Sequence, residues 1–324
     1  MTCTLSRRAF GAASLATLAV PLAARPALAA SPSEIRIDWA TYNSVSLVLK
    51  EQGLLEKEFS SEKISIRWVQ SAGSNKALEF LNAGSLDFGS TAGAAALIGK
   101  INGNPLKSIY VYSRPEWTAL VTLGNSPIKK VADLKGQRVA VTRGTDPHIF
   151  LVRALAEAGL SEKDVKLVLL QHQDGRTALE RGDVIAWAGL DPLMAAAEIE
   201  AGARLFYRKP EANTWGVLNV REDFAQENPA LVRRVLAVYE TGRKWAVAHP
   251  AELKAMLMTA TKLSDAVIAR QLERTDMSSG QIGATQANTI IEAGKALQSA
   301  GVLAADLDIA KITNAMISSA YLRP

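Results

Sequence analysis

At 324 residues, 48% of them hydrophobic and 21% charged, the chain is long enough for two α/β lobes with separate cores and has the composition of an ordinary soluble globular protein. Its formal charge of +5 falls to +2, 34 basic against 32 acidic residues, once the first thirty residues with their three arginines are set aside, so the basic balance does not call for nucleic acid or a membrane surface as partner. The one cysteine, Cys3, leaves no disulfide for the rest of the chain.

The first thirty residues have the pattern of an export signal. Arg7 and Arg8 precede an apolar run over residues 9–22 that contains Pro21, and Ala27-Leu28-Ala29 has the form of a processing site. Ser6-Arg7-Arg8-Ala9-Phe10 resembles a twin-arginine signal. The run is short for a membrane anchor, so cleavage is expected near Ala29 or Ala30. Cys3 leaves with this segment and lies too far from the cleavage site to serve as a lipid anchor. The processed protein is expected in the periplasm, where its stability rests on core packing.

Residues 33–40 alternate apolar and polar and predict a first strand. Thr41-Tyr42-Asn43-Ser44 then leads into a helix marked by Val45, Leu47, Val48 and Leu49 and ending near Gly53. Residues 64–70 predict a second strand, followed by a helix over 75–82 with Ser74 as its cap and Gly84 as its stop. Residues 86–89 predict a third strand, which opens through Ser90-Thr91-Ala92-Gly93 into a helix of small residues reaching Gly99. Strand, polar loop and helix in this repeated order indicate a mainly parallel sheet with right-handed crossovers.

A fourth strand over 106–112 is broken by Ser113-Arg114-Pro115-Glu116, and 117–123 resumes as a strand. The stretch 135–160 then shows a β-branched strand over 137–142, a turn at Arg143-Gly144, and Asp146 as N-cap with Pro147 at the first helical position. Phe150, Leu151, Ala154, Leu155 and Ala158 recur three and four apart up to Gly159, so one face of that helix is buried. Residues 165–171 predict a strand, Asp174 caps a helix ending at Gly182, 184–188 predict a strand, and Asp191-Pro192 opens a helix to Gly202. The last strand candidates are 205–207 and 215–220, and four helices follow, over 229–249, 250–260, 263–275 and 285–299.

This order fits an α/β protein of two lobes. Residues 31–113 and 217–324 form a discontinuous lobe I, and 114–216 form lobe II, with two strands crossing between them. The crossing stretches 113–116 and 212–216 are expected to act as a two-strand hinge. The carboxyl ends of both sheets then point into one cleft, where ligands of open α/β sheets collect.

Leu78-Glu79-Phe80-Leu81-Asn82-Ala83-Gly84-Ser85-Leu86-Asp87-Phe88-Gly89 resembles the L-N-x-G-x-[ILV]-D-[FI]-G segment of the periplasmic binding proteins for nitrate, sulfonate and taurine. Three further segments resemble the aliphatic-sulfonate branch of that family: residues 126–136, residues 144–160 with His148, and Trp187 followed by Asp191-Pro192. The resemblance spans residues 35–248 by motif, and the remaining helices fit by pattern. It implies a type II periplasmic-binding-protein fold that closes over its ligand and delivers it to the membrane permease and ATPase of an ABC importer. It implies no cofactor, and a protein that acts as a monomer.

A sulfonate offers three acceptor oxygens and no proton, so its receptor is a set of donors without an opposing carboxylate. Amides at helix starts, backed by short hydroxyls, supply that set. The candidates are Ser74, Gly144 and Thr145, together with Ser90 and Thr91, where the resemblance places the acid group. Thr118 and His148 are candidates at the start of lobe II and on the first turn of its leading helix. Asp146 and Asp191 read first as N-caps. The resemblance puts Asp191 near the ligand, and both are expected to face an amino or hydroxyl group or to join the lobes. Related sequences often carry a small neutral residue where Asp146 stands. Tyr42, Asn43 and Trp215 are expected to form the walls.

Taurine, nitrate or another small oxyanion is the nearest alternative ligand. An enzyme on the same scaffold, such as a thiamine-pyrimidine synthase, would need a poised base or a cofactor site. The processed chain shows no cysteine, histidine cluster, P-loop or G-x-G-x-x-G.

Overall fold

The computed structural model describes residues 32–322, and the export-signal reading of residues 1–30, Cys3 included, lies outside them. Three strand–helix units open the chain: β1 (Glu34–Trp39) with α1 (Ser44–Glu51) and α2 (Leu54–Phe59), β2 (Ser65–Gln70) with α3 (Ser74–Asn82), and β3 (Phe88–Ala92) with α4 (Gly93–Ile101). After β4 (Leu106–Pro115) comes a second series of β5 (Leu120–Leu123), β6 (Arg138–Val141), α5 (Asp146–Glu157), β7 (Lys166–Leu169), α6 (His172–Glu180), β8 (Ala186–Ala188), α7 (Leu193–Glu200) and β9 (Ala203–Tyr207). The chain returns through β10 (Gly216–Arg221) to α8 (Glu222–Glu227), α9 (Pro229–Ala248), α10 (Pro250–Thr261), α11 (Asp265–Glu273), β11 (Thr275–Asp276), α12 (Ala284–Ser299) and α13 (Ile309–Met316).

The strands form two sheets, ordered β11-β4-β10-β3-β1-β2 and β7-β6-β8-β5-β9. Each has three parallel strands flanked by an antiparallel one, β10 in the first sheet and β5 in the second. Each of those antiparallel strands follows a passage of the chain from one sheet to the other. Each sheet also has its own core: Ile35, Ile37, Leu49, Phe59, Phe88, Val235 and Tyr239 in the first lobe, Val139, Val141, Phe150, Leu155 and Ala186 in the second. Long α9 packs on α1 at glycine distance, since a Cβ on Gly242 would fall 2.2 Å from Leu49 Cδ1. Among the described residues no helix is long and apolar enough to cross a membrane.

Several boundaries differ from the sequence expectation, and the differences matter for the cleft. β3 starts at Phe88 and runs through Ser90 and Thr91, which therefore lie in a central strand rather than in a loop. Their partner is β10, with Leu218 opposite Ser90 and Val217 opposite Thr91, a pairing too distant in sequence for local pattern to reveal. Strand β4 continues through the expected break to Pro115 because β11 pairs with its end. Gly73, not Ser74, occupies the N-cap of α3, and Thr145, not Asp146, occupies that of α5. Helix α6 begins at His172, two residues before Asp174.

Candidate functional site at the meeting of the two lobes

Two connections, residues 116–119 and 208–215, join the sheets, and they are tied to each other. Thr118 N donates to Asn213 Oδ1 at 2.9 Å, while Arg208 grips Glu116 with two bonds of 2.7 and 2.8 Å. One buried carboxylate of lobe II then holds both: Asp146 accepts from Trp117 Nε1 at 2.8 Å, from Thr214 N at 3.1 Å and from Thr214 Oγ1 at 2.7 Å. Thr214 Oγ1 accepts in turn from Ala94 N at 3.2 Å, at the start of α4 in lobe I. Burial pushes the Asp146 carboxyl above its ordinary range, against the pull of the Trp117 and Thr214 donors. Its expected role as helix cap is thus replaced by one at the lobe junction.

Beside this junction lies a cavity of about 10 Å³, the room of roughly one water. Tyr42 and Ser74 line it from lobe I, and Thr145, Asp146, Pro147, His172 and Leu190 line it from lobe II, with Trp117 of the first connection between them. Ser74 and Thr145 bring the starts of α3 and α5 to the same cavity from opposite lobes. The first-turn amides of a helix have no acceptor within the helix, and the helix dipole favours an anion there. The hydroxyls beside them are already engaged: Ser74 Oγ accepts from Ala92 N at 3.0 Å, and Thr145 Oγ1 donates to Thr142 O at 2.7 Å. Gly144 turns the chain into α5 with φ of 77°, in the left-handed region, and a Cβ there would lie 3.8 Å from Asn75 Cβ of the other lobe. His172 also lines a wider space of about 290 Å³ with Gln70, Gln171, Pro192 and Thr261.

Of the residues singled out from sequence, Tyr42, Ser74, Thr145 and Asp146 line the narrow cavity, and Gly144, just before Thr145, faces Asn75 of lobe I. Tyr42 donates to Ser90 O at 3.1 Å and meets Trp117 edge-on, ring centroids 6.0 Å apart. Asn43, Ser90 and Thr91 lie inside lobe I. Ser90 Oγ donates to Asp38 at 2.8 Å and accepts from Asn43 Nδ2 at 2.7 Å, and Thr91 Oγ1 accepts from Asn219 Nδ2 at 2.8 Å. Burial lifts Asp38 to about 6 despite two bonds from Ser90. His148 turns back onto its own lobe, its Nε2 2.8 Å from Glu162 Oε1. Thr118 braces Asn213 through its backbone N and O, while its Oγ1 is buried with no hydrogen-bond partner among the described residues. Trp215 is half-buried against the lobe I cluster and under Arg114, whose guanidinium sits 5.2 Å from its ring centroid.

Asp191 makes a lobe-to-lobe contact. Its Oδ1 accepts from Ala195 N at 2.9 Å, at the start of α7, and its Oδ2 lies 3.4 Å from Arg274 Nη1 in lobe I. Burial outweighs the arginine and pushes the carboxyl up to about 7. Apolar contact reinforces both sides of the junction: Ile149 and Val152 of α5 meet Ala293 and Leu297 of α12, and Ala195 and Ala196 of α7 meet Val267 of α11.

Trp117, Pro147, Leu190 and His172 also line the cavity and are not among the residues singled out from sequence. Only His172 carried a readable signal: like Ser74 and Thr145 it follows a strand and opens a helix, hidden by the expectation that Asp174 made the cap. Among the described residues no cluster of His, Cys, Asp and Glu could hold a metal ion.

Two α/β lobes, two passages of chain between them and helix starts facing each other across the junction define a periplasmic-binding-protein fold. The chain is similar in structure to the alkanesulfonate-binding protein SsuA from Xanthomonas axonopodis pv. citri bound to MOPS, with a TM-score of 0.80 and 26% identity over 90% of this chain and 99% of that one. It is also similar to the periplasmic aliphatic sulphonate binding protein SsuA from Escherichia coli, with a TM-score of 0.73 and 29% identity over 86% and 91% of the two chains. In sequence it is 34% identical, over 81% of each chain, to an Escherichia coli K12 protein named as a candidate aliphatic sulfonates-binding protein. The profile described as NMT1/THI5 like matches residues 56–253, and the chain belongs to that family.

Proposed function

We propose that the protein is a non-catalytic periplasmic solute-binding protein that captures aliphatic sulfonates between its lobes and delivers them to the permease and ATPase of an ABC importer. The observation that carries this reading is the convergence of two helix starts, at Ser74 of lobe I and Thr145 of lobe II, on one cavity. Amides of both lobes pointing at one anion tie ligand binding to closure, because the head group is fully coordinated only when the lobes meet. The relatives named for binding sulfonates support the same reading.

A cavity of about 10 Å³ is too small for a sulfonate head group, so binding requires the lobes to part and close again over the ligand. Residues 113–116 and 212–216 are the segments proposed to bend. The proposed ligand set is Ser74, Gly144 and Thr145 through their backbone amides, with Tyr42 and Trp117 as walls. Delivery in the periplasm follows from residues 1–30 acting as an export signal, by the twin-arginine route.

Calorimetric titration of the processed protein tests the reading. Short alkanesulfonates should bind with heat and raise the melting temperature, while sulfate and nitrate at the same concentration should leave it unchanged. Binding of sulfate or nitrate alone would refute it.

A further inference from the structure

His172 is buried at the start of α6, only 3% exposed, and lines both the narrow cavity and the wider space beside it. Its hydrogen bonding fixes its tautomer. Thr142 Oγ1 donates its only proton to Leu170 O at 2.7 Å, so its lone pair faces His172 Nδ1 at 3.2 Å as an acceptor, and Nδ1 must carry the ring proton. Burial holds the ring neutral, its pKa pressed down to about 3. Nε2 is therefore an acceptor, and it has no hydrogen-bond partner among the described residues.

A second acceptor meets it from the opposite lobe. Asn75 Oδ1, on the first turn of α3, is buried and likewise without a partner. A Cβ built on Gly73 would lie 2.8 Å from Asn75 Oδ1 and 3.1 Å from His172 Nε2, so both acceptors border the same small space beside the bare glycine backbone. Asp146, whose oxygens accept from Trp117 and Thr214, lines the same cavity. One edge of the site thus presents amide donors from two helix starts, and the other presents acceptors that want a proton.

We infer that the ligand carries an N–H or O–H donor a few bonds from its sulfonate, and that His172 Nε2 and Asn75 Oδ1 select it by accepting that donor. This rests on the sulfonate reading above and names the subclass: amino- or hydroxy-substituted short alkanesulfonates over their plain alkyl counterparts. A site built to pair with a ligand donor rejects the isostere that lacks it, because the analogue would leave the site's buried acceptors unpaired.

The test is a calorimetric comparison of three probes of nearly equal size, taurine, isethionate and propane-1-sulfonate, against the wild type, His172→Phe, His172→Gln and Thr142→Val. The wild type should bind taurine or isethionate at least about tenfold more tightly than propane-1-sulfonate. In His172→Phe that ratio should fall to near one, and in His172→Gln, whose amide oxygen is again an acceptor, part of it should return. Thr142→Val leaves the cavity lining in place but frees the imidazole tautomer, so it should lower the ratio in a protein whose circular dichroism matches wild type. Equal affinities in the wild type, or a ratio unchanged in His172→Phe and Thr142→Val, would overturn the inference while leaving the sulfonate reading standing. A wild type that binds none of the three would instead count against that reading.

Discussion

Replacing Arg274 by methionine probes what holds the lobes together on the side of the junction away from Asp146. Arg274 lies 3.4 Å from Asp191 and also pairs with Glu198, and the Arg274 and Asp191 side chains are only 7% and 3% exposed. Burial raises the Asp191 carboxyl to about 7, against about 3.9 for an unfolded aspartate. The folded protein therefore favours the protonated acid. That contribution is complete below about pH 4 and is lost as pH rises through 7, a swing on the order of 4 kcal/mol at about 1.36 kcal/mol per unit. Removing Arg274 takes away the charge that offsets ionised Asp191, and since the stranded acid then keeps its proton, the extra loss at pH 8.5 is bounded by the roughly 1.5 units between that pH and 7, about 2 kcal/mol. At pH 5 Asp191 is protonated in both proteins, so the same substitution should cost only about 1 kcal/mol, the worth of an ordinary polar contact. Glu198 retains Arg270 at 3.8 Å in either case. Urea denaturation at pH 5 and pH 8.5 measures the two losses, with Asp191→Asn as the background in which the difference between them should vanish. A loss equal at both pH values, or larger at pH 5, would show that the arginine acts by packing rather than by compensating a buried charge.

Ser90→Ala should lower stability by about 1–3 kcal/mol, because Asp38 and Asn43 each lose a buried partner, and should leave sulfonate affinity nearly unchanged. Weakened binding at unchanged stability would instead place the hydroxyl at the ligand. His148→Ala should behave the same way through its lost contact with Glu162, so a marked fall in affinity without unfolding would contradict the placement of that ring. His172, held neutral with a pKa near 3 against about 6.5 unfolded, contributes stability that is whole above pH 6.5 and is lost as pH falls toward 3. Melting curves of His172→Phe should accordingly fall less steeply between pH 6 and pH 4 than those of the wild type, and parallel curves would refute the buried neutral ring. Gly242→Ala sets a methyl 2.2 Å from Leu49 Cδ1, an overpacking cost of about 1–3 kcal/mol that exceeds the gain of about 1 kcal/mol from helix propensity. Scanning calorimetry should record a lower Tm, and a higher one would show that α1 moves aside freely.

Local pattern carried most of the architecture. Alternation over residues 33–40 and 64–70, the glycine stops at Gly84 and Gly159, and the proline at the start of α5 act through neighbours a few residues away, so they can be read along the chain. The repeated order of strand, polar loop and helix implied parallel sheets, and the motif around Leu81-Asn82 pointed to the fold class. The amide donors at Ser74 and Thr145 were legible for the same reason: a helix start after a strand is a local event.

The use of the remaining polar side chains depended on partners far away in sequence. Ser90 and Thr91 read as a polar loop by local pattern, whereas β10, more than a hundred residues later, pairs with their strand and commits their hydroxyls to the interior. Asp146 and Asp191 were indistinguishable as proline-linked caps, yet one ties the two connections and the other meets Arg274 of the opposite lobe. His172 and His148 differed in sequence only by context, and what separated them was Glu162 beside one ring and Gly73 of the facing lobe beside the other. Backbone donors at helix starts are set by the chain's own geometry, whereas a side chain's hydrogen bonds are set by whichever groups the packed lobes bring within about 3 Å of it.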